Sequence, residues 1–155
     1  MKTIQIRDAK LKVKLATTPE QHQAGLKNVF KLASNQGMLF CYPRKDYGIL
    51  SFWMRDTIIP LSIAFIDKDG RITQISDMNP RDESGVKSNK PSLWALETNQ
   101  GWFADNKIKI GDKVEGLFSR GIKIRVLKLP PKAQALAKKI EDALVAMTKQ
   151  ALGGK

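Results

Sequence analysis

One cysteine and one histidine occur in 155 residues, and these two scarcities exclude much chemistry. A disulfide framework needs paired cysteines, and a structural zinc site needs several Cys or His ligands. Cys41 and His22 stand alone, so neither metal nor cofactor is expected. A serine triad would have to recruit His22, but Pro19-Glu20-Gln21-His22-Gln23-Ala24-Gly25 reads as the polar side of a short helix carrying a solvated histidine. A Cys41–His22 dyad is the remaining nucleophilic alternative. Against it, Cys41 lies in the apolar run Gly37-Met38-Leu39-Phe40-Cys41-Tyr42, where a free thiol behaves as a small buried hydrophobe. No apolar run approaches the roughly 18 residues of a membrane-spanning helix. The opening residues, Met1 to Asp8, carry no apolar stretch of the secretory kind. The expected location is cytoplasmic, with association with a virion as the alternative.

Acidic residues are also in short supply: 15 against 27 basic ones, for a formal net charge of +12. The excess is spread along the chain, so it favours nonspecific contact with nucleic acid or other polyanions without reading a sequence. Its densest stretch, Lys10-Leu11-Lys12-Val13-Lys14-Leu15, alternates with period two, placing three lysines on one face of a strand. The main reading is a solvated face that discourages edge-to-edge pairing, with phosphate contact as the lesser alternative. Zinc-finger spacing, base-stacking aromatic strand motifs and a helix-turn-helix pattern are all missing.

What is present is mostly strand-like. Ile4 to Ile6, Leu11 to Ala16, Gly37 to Tyr42, Leu50 to Met54, Leu61 to Asp67, Leu93 to Thr98, Lys113 to Phe118 and Ile122 to Leu129 read as strands. Thr18 caps a short helix that has Pro19 in its first turn and runs to about Leu26, with Gly25 or Asn28 helping to end it. Asp67-Lys68-Asp69-Gly70 predicts a turn joining Leu61 to Ile66 with Arg71 to Ile75 as an antiparallel hairpin. Asp77 to Pro91 reads as a long polar loop.

The fold class that follows is mainly β: a compact small barrel or sandwich of about eight short strands with one short N-terminal helix. Residues 1–129 form this β domain, and residues 130–155 form a C-terminal extension. Beyond Pro130-Pro131, the positions Ala133, Leu136, Ala137, Ile140, Leu144, Met147 and Ala151 recur at helical spacing, predicting an amphipathic helix of about 20 residues. Its apolar stripe needs cover from the body, a second copy, another protein or a lipid surface. Residues 132–152 are therefore a candidate surface for self-association or a protein partner.

Three segments carry a family resemblance. They are Gly37-Met38-Leu39-Phe40; the run from Ser51-Phe52-Trp53-Met54-Arg55-Asp56-Thr57 through Pro60-Leu61-Ser62 to Asp67; and Leu96-Glu97-Thr98-Asn99-Gln100-Gly101-Trp102 with Ile110-Gly111-Asp112-Lys113-Val114. Together with Thr18-Pro19-Glu20 and Gly25-Leu26, they resemble the uncharacterised bacterial, archaeal and phage family numbered 192 among the domains of unknown function, over about residues 11 to 118. The resemblance implies a compact, mainly β domain and no established activity. This chain departs from the family pattern in having Ser62 where an aspartate is common and Asp56 where an asparagine is common, and in lacking the export signal that members often carry.

The candidate site comes from the same motif. With Phe52 and Met54 pointing inward, Trp53 and Arg55 point the other way and offer a stacking surface for a ring-bearing or anionic ligand. Glu97, in Leu93-Trp94-Ala95-Leu96-Glu97, shares a face with Leu93 and Ala95 and is expected to be partly buried; Gly101-Trp102 makes a turn that presents an aromatic. Trp53, Arg55, Asp56, Thr57, Glu97 and Trp102 are the candidate ligand-binding residues. A purely structural use of them has Trp53 packed on Trp102 and Arg55 paired with Asp56 or Glu97. Three functions fit: a noncatalytic module binding a small ligand, glycan or peptide; an assembly protein, possibly phage-derived, docking through its helix and basic surface; or a small hydrolase using Asp56 and Glu97 as an acid/base pair.

Overall fold

The computed structural model describes residues 1–117 and 131–153. The first unit, Met1–Leu117, holds all nine described strands: β1 (Lys2–Ile6), β2 (Ala9–Ala16), β3 (Gln36–Cys41), β4 (Ser51–Phe52), β5 (Leu61–Ile66), β6 (Ile72–Met78), β7 (Val86–Lys87), β8 (Trp94–Asn99) and β9 (Val114–Glu115). Two short helices, α1 (Pro19–Ala24) and α2 (Trp102–Asp105), and a 3-10 turn at Arg44–Asp46 complete it. The second unit, Phe118–Lys155, is described by one helix, α3 (Pro131–Gly153). The strand expected over residues 122–129 lies outside the described residues.

Seven strands form one curled sheet in the order β6-β5-β8-β3-β2-β1-β9, and β4 pairs with β7 in a separate ribbon. The mainly β expectation holds, in the form of a half-barrel. Its ends approach one another: Arg71, ahead of β6, bridges to Lys113, ahead of β9, and Val114 N–H donates to the Gly70 carbonyl at 2.8 Å. The Arg7–Asp112 ion pair, at 2.7 Å, ties β1's turn to the same corner. Closing the curl in this way satisfies edge groups that would otherwise invite another chain.

Period-two alternation sorts the side chains into two cores. Ile4, Ile6, Leu11, Val13, Leu39, Ile66, Leu96 and Val114 pack in the first, with Trp102 and Phe103 of α2. Met38, Phe40, Leu61, Ile63, Phe65 and Ala95 pack in the second, with Leu26, Leu50 and Met54 from connecting segments. Central strands buried on both faces are continuously apolar: all six residues of β5 are buried.

Local chemistry sets the connections. Thr18 accepts from Gln21 N–H while the Gln21 side chain accepts from Thr18 N–H, a complete capping box ahead of Pro19. The β5–β6 hairpin forms as its turn residues predict, the Asp67 carboxylate accepting from Asp69 N–H and Arg71 N–H at 2.9 and 3.0 Å. The segment 77–91 differs from the expected loop. β6 runs on to Met78, and Val86–Lys87 pairs with β4 as β7. Ser88 closes the ribbon, donating its N–H to the Leu50 carbonyl and accepting Leu50 N–H on its hydroxyl. The polar composition of this stretch hid a pairing that β4 needs for its own backbone groups. The expected strand at Leu50 to Met54 is likewise cut to Ser51–Phe52, because residues 54–57 turn.

Gly37 is a checkable point of close approach. A Cβ there would meet the Glu97 carbonyl oxygen at 2.6 Å and Leu11 Cδ2 at 3.1 Å. Gly37→Ala must force β3 away from β8, and is expected to lower stability by about 1–3 kcal/mol, measured by urea denaturation; unchanged stability would show that the two strands can separate freely here.

Candidate functional site

β2 and β3 are parallel neighbours, so residues 17–35 must cross over the sheet to connect them. This crossover, carrying α1, covers the second core: Leu26 is buried there and Val29 and Leu32 pack against it. Under it lies an open cleft of about 390 Å³ lined from the crossover by His22, Gly25 and Lys27, from the sheet by Phe40, Tyr42 and Glu97, and from the β4 region by Ser51, Phe52, Trp53 and Thr57. That volume is within the range of small-molecule sites, about 300–1,000 Å³.

Glu97 is the chemically unusual wall residue. It sits in β8, between Met38 of β3 and Ile63 of β5, and is only 5% exposed. Ala95 shares its core, whereas Leu93, expected on the same face, precedes β8 and packs in the first core. No arginine or lysine is paired with the Glu97 carboxyl among the described residues, and no described donor hydrogen-bonds to it. Fully enclosed polar side-chain atoms without a partner are absent from the described residues, so this carboxyl has access to solvent at the cleft it lines. Burial pushes it up to about 8, since an ion without a counter-charge is costly to enclose. The protein therefore keeps an uncharged carboxylic acid here at neutral pH.

His22 departs from the solvated surface position expected for it. Its ring is half-buried, stacked on Tyr42 with centroids 4.3 Å apart, and Nε2 is 2.9 Å from both the Ala16 and Cys41 carbonyls. Two carbonyl oxygens can only accept, so Nε2 carries the proton and neutral His22 keeps its lone pair on Nδ1. Burial, then the Glu97 and Cys41 side chains, push the Tyr42 phenol up to about 12. Cys41 shares no chemistry with His22 beyond its carbonyl. Its thiol lies against the first core, 3.8 Å from the Leu39 carbonyl, and burial raises it to about 11, away from the nucleophilic thiolate.

Of the residues singled out from sequence, Trp53, Thr57 and Glu97 line one cleft. Phe52 and Met54 do turn inward, Phe52 edge-on to Phe40 at 5.0 Å, while Trp53 is 49% exposed at the rim. Arg55 stacks over Trp53 at 5.5 Å and pairs with Glu83 at 3.7 Å, rather than with Asp56 or Glu97. Asp56 is exposed, with φ 57°, and serves the backbone: its carbonyl accepts Asn28 N–H at 3.0 Å, tying the turn to the crossover. Asp56 and Glu97 are thus not brought together in the cleft. Trp102 is not presented by its turn. It is buried in the first core against Phe103 at 5.3 Å, because α2 folds both rings inward. His22 and Tyr42 were missed. A Pro-capped helix entering a crossover onto an aromatic strand was the available signal.

The Glu97 carboxyl makes stability pH-dependent. Unfolded, it ionises near its ordinary 4.5; folded, near about 8. Between these values the unfolded chain binds fewer protons, so stability present at low pH falls as pH rises, by up to about 1.4 kcal/mol per unit, and levels off above about pH 8. Glu97→Gln is expected to remove this slope and to be more stable than the parent at pH 8–9. Urea titrations from pH 5 to 9 check this; parallel slopes in the two proteins would contradict it.

Comparison with known proteins adds kinship without an activity. No curated protein matches the chain. A protein of unknown function from Novosphingobium aromaticivorans DSM 12444 is 34% identical with TM-score 0.69, over 73% of this chain and 83% of that one. A protein from Sinorhizobium meliloti 1021, named "putative transcription regulator", is 30% identical with TM-score 0.70, over 74% of this chain and 92% of that one. Residues 2–116 match the model of DUF192, described as an uncharacterized ACR family: the chain belongs to the DUF192 family.

Proposed function

We propose that the protein is a noncatalytic binding module that holds a small ligand in the cleft between the crossover and the second core. The observation that carries this reading is Glu97, a carboxyl group in a central strand with no described hydrogen-bond partner, at the wall of a cleft of ligand size. A residue retained only for packing at that position would be apolar, like Met38 and Ile63 on either side. Phe40, Tyr42 and Phe52 supply flat apolar walls, and Trp53 an exposed rim. The acid/base hydrolase reading loses its second carboxylate, since Asp56 faces solvent in a turn.

Screening the intact protein by thermal shift against small molecules tests this. A true ligand raises the midpoint, by about 2.7 kcal/mol of stabilisation at a hundredfold excess over Kd. The shift is expected to be insensitive to salt, to be lost in Trp53→Ala and Glu97→Gln, and to survive Glu83→Ala, which touches only the Arg55 pair. Stabilisation by nucleic acid alone, abolished by salt and indifferent to Trp53, would instead move function to the lysines of β2.

A second reading, assembly through the C-terminal helix, is favoured by one observation. Leu136, Ile140, Leu144 and Met147 of α3 are each more than half exposed. Removal of residues 130–155 is then expected to abolish partner capture or self-association, measured by light scattering, while leaving ligand shifts of the cleft intact. Loss of the ligand shifts as well would show that the two units do not work separately.

A further inference from the structure

The cleft wall combines one carboxyl group with acceptors and aromatic rings. The His22 Nε2 proton is committed to two backbone carbonyls, which leaves Nδ1 as an acceptor. The Thr57 hydroxyl directs its proton to the Arg55 carbonyl at 3.4 Å, leaving its oxygen lone pairs. Glu97 offers a carboxyl without a described partner. The rings of Tyr42, which is stacked on His22, and of Phe52 line the same wall. Glu97 is the one carboxyl among the described residues that line the cleft; the donors beside it are its own O–H when neutral, the Tyr42 hydroxyl, and the exposed or half-exposed Gln23, Lys27, Ser51 and Trp53.

We propose that the cleft takes a small organic ammonium ion, its nitrogen seated against the Glu97 carboxylate and its carbon skeleton against the aromatic walls. This rests on the cleft-binding reading above. An anion would meet the Glu97 carboxyl with the wrong sign, and a neutral alcohol would form no ion pair with it. An ammonium group donates up to three hydrogen bonds and gains from the ring faces.

Binding is coupled to a proton. The free protein holds Glu97 as the neutral acid; on association the O–H bond breaks, the proton leaves to solvent, and the carboxylate pairs with the incoming cation. One proton is released per ligand bound below about pH 8, the value to which burial raises the group. The other ionisable groups at the cleft are His22 and Lys27 from the crossover and Tyr42 from the sheet. Lys27 is half-exposed and opposes the ligand weakly, because solvent screens it.

The test uses the intact protein and matched trios that share a skeleton and differ in one group: benzylamine, benzyl alcohol and benzoate; cyclohexylmethylamine, cyclohexylmethanol and cyclohexanecarboxylate. Calorimetry at pH 6, 7 and 8 is expected to show each amine binding at least tenfold tighter than its partners. Affinity should rise by up to tenfold per pH unit toward pH 8, with proton release read from buffers of different ionisation enthalpy. Glu97→Gln removes the preference and the proton release, and Lys27→Ala strengthens amine binding slightly. Should Glu97→Gln fold poorly, Tyr42→Leu, which removes a ring face, provides the second readout and weakens amines selectively. Binding of the alcohol or carboxylate as tightly as the amine would overturn the ammonium assignment while leaving the cleft a binding site. If no member of either trio binds, and the wider thermal-shift screen yields no ligand, both readings fall.

Discussion

The parallel pairing of β2 with β3 is the constraint on which the rest depends. Every other strand pair in the main sheet is antiparallel, and the consecutive ones, β1–β2 and β5–β6, are joined by short turns. A parallel pair cannot be joined by a tight turn, so the chain must leave the sheet and return across one face. The crossover from Thr17 to Asn35 does this over the second core. The Thr18 capping box starts α1, and Gly25, with φ 47°, ends it at a point where even a methyl group would sit 3.6 Å from the Phe40 ring. Leu26 then anchors the segment. Because α1 is only six residues long, it covers part of that face. The uncovered part is the cleft, so the site is a product of the connection rather than of the sheet.

The treatment of carboxylates elsewhere shows how unusual Glu97 is. Asp112 is held below the usual range by Arg7, with Lys109 N–H donating to it as well. Asp77 accepts the Ser62 hydroxyl at 2.8 Å, and Ser62 in turn receives Gly101 N–H at 3.0 Å, so both side chains belong to one satisfied chain of hydrogen bonds. Asp82 is lowered by Ser84. Asp112 and Asp82 stay charged because hydrogen-bond donors stabilise the charge. Glu97 alone among them meets burial without compensation, which is where structural economy stops explaining a side chain and ligand chemistry begins.

Much of the scaffold was legible in the sequence because its signals are local. Thr18-Pro19 marks a helix start, Asp67-Lys68-Asp69-Gly70 marks a hairpin, and the alternation in Lys10 to Leu15 places Leu11 and Val13 in the core and the lysines outside. What was illegible depended on who meets whom. His22 looks solvated on its own helix, and only the crossover lays it on Tyr42. Val86 sits in a polar stretch and becomes a strand only because β4 needs a partner. Trp102 follows a glycine turn, as an exposed aromatic would, but the four-residue α2 rotates it into the first core. Asp56 reads from sequence as a candidate ligand-binding residue, whereas its positive φ explains the residue type: Asp and Asn tolerate that backbone better than most side chains do.

Charge and cleft point to different partners, and distance decides between them. The net charge of +12 acts through solvent, where screening reduces it within about 8–10 Å at physiological salt. It sets which polyanions linger near the surface. Inside the cleft, a ligand nitrogen would be in contact with Glu97 and the rings, at separations where low dielectric makes each contact stronger than the distant lysines. A basic protein with a carboxyl group in its cleft wall is therefore no contradiction. The surface potential slows the approach of a cation and leaves its final affinity to the contact groups, so salt should speed association with the cleft while weakening any hold on nucleic acid.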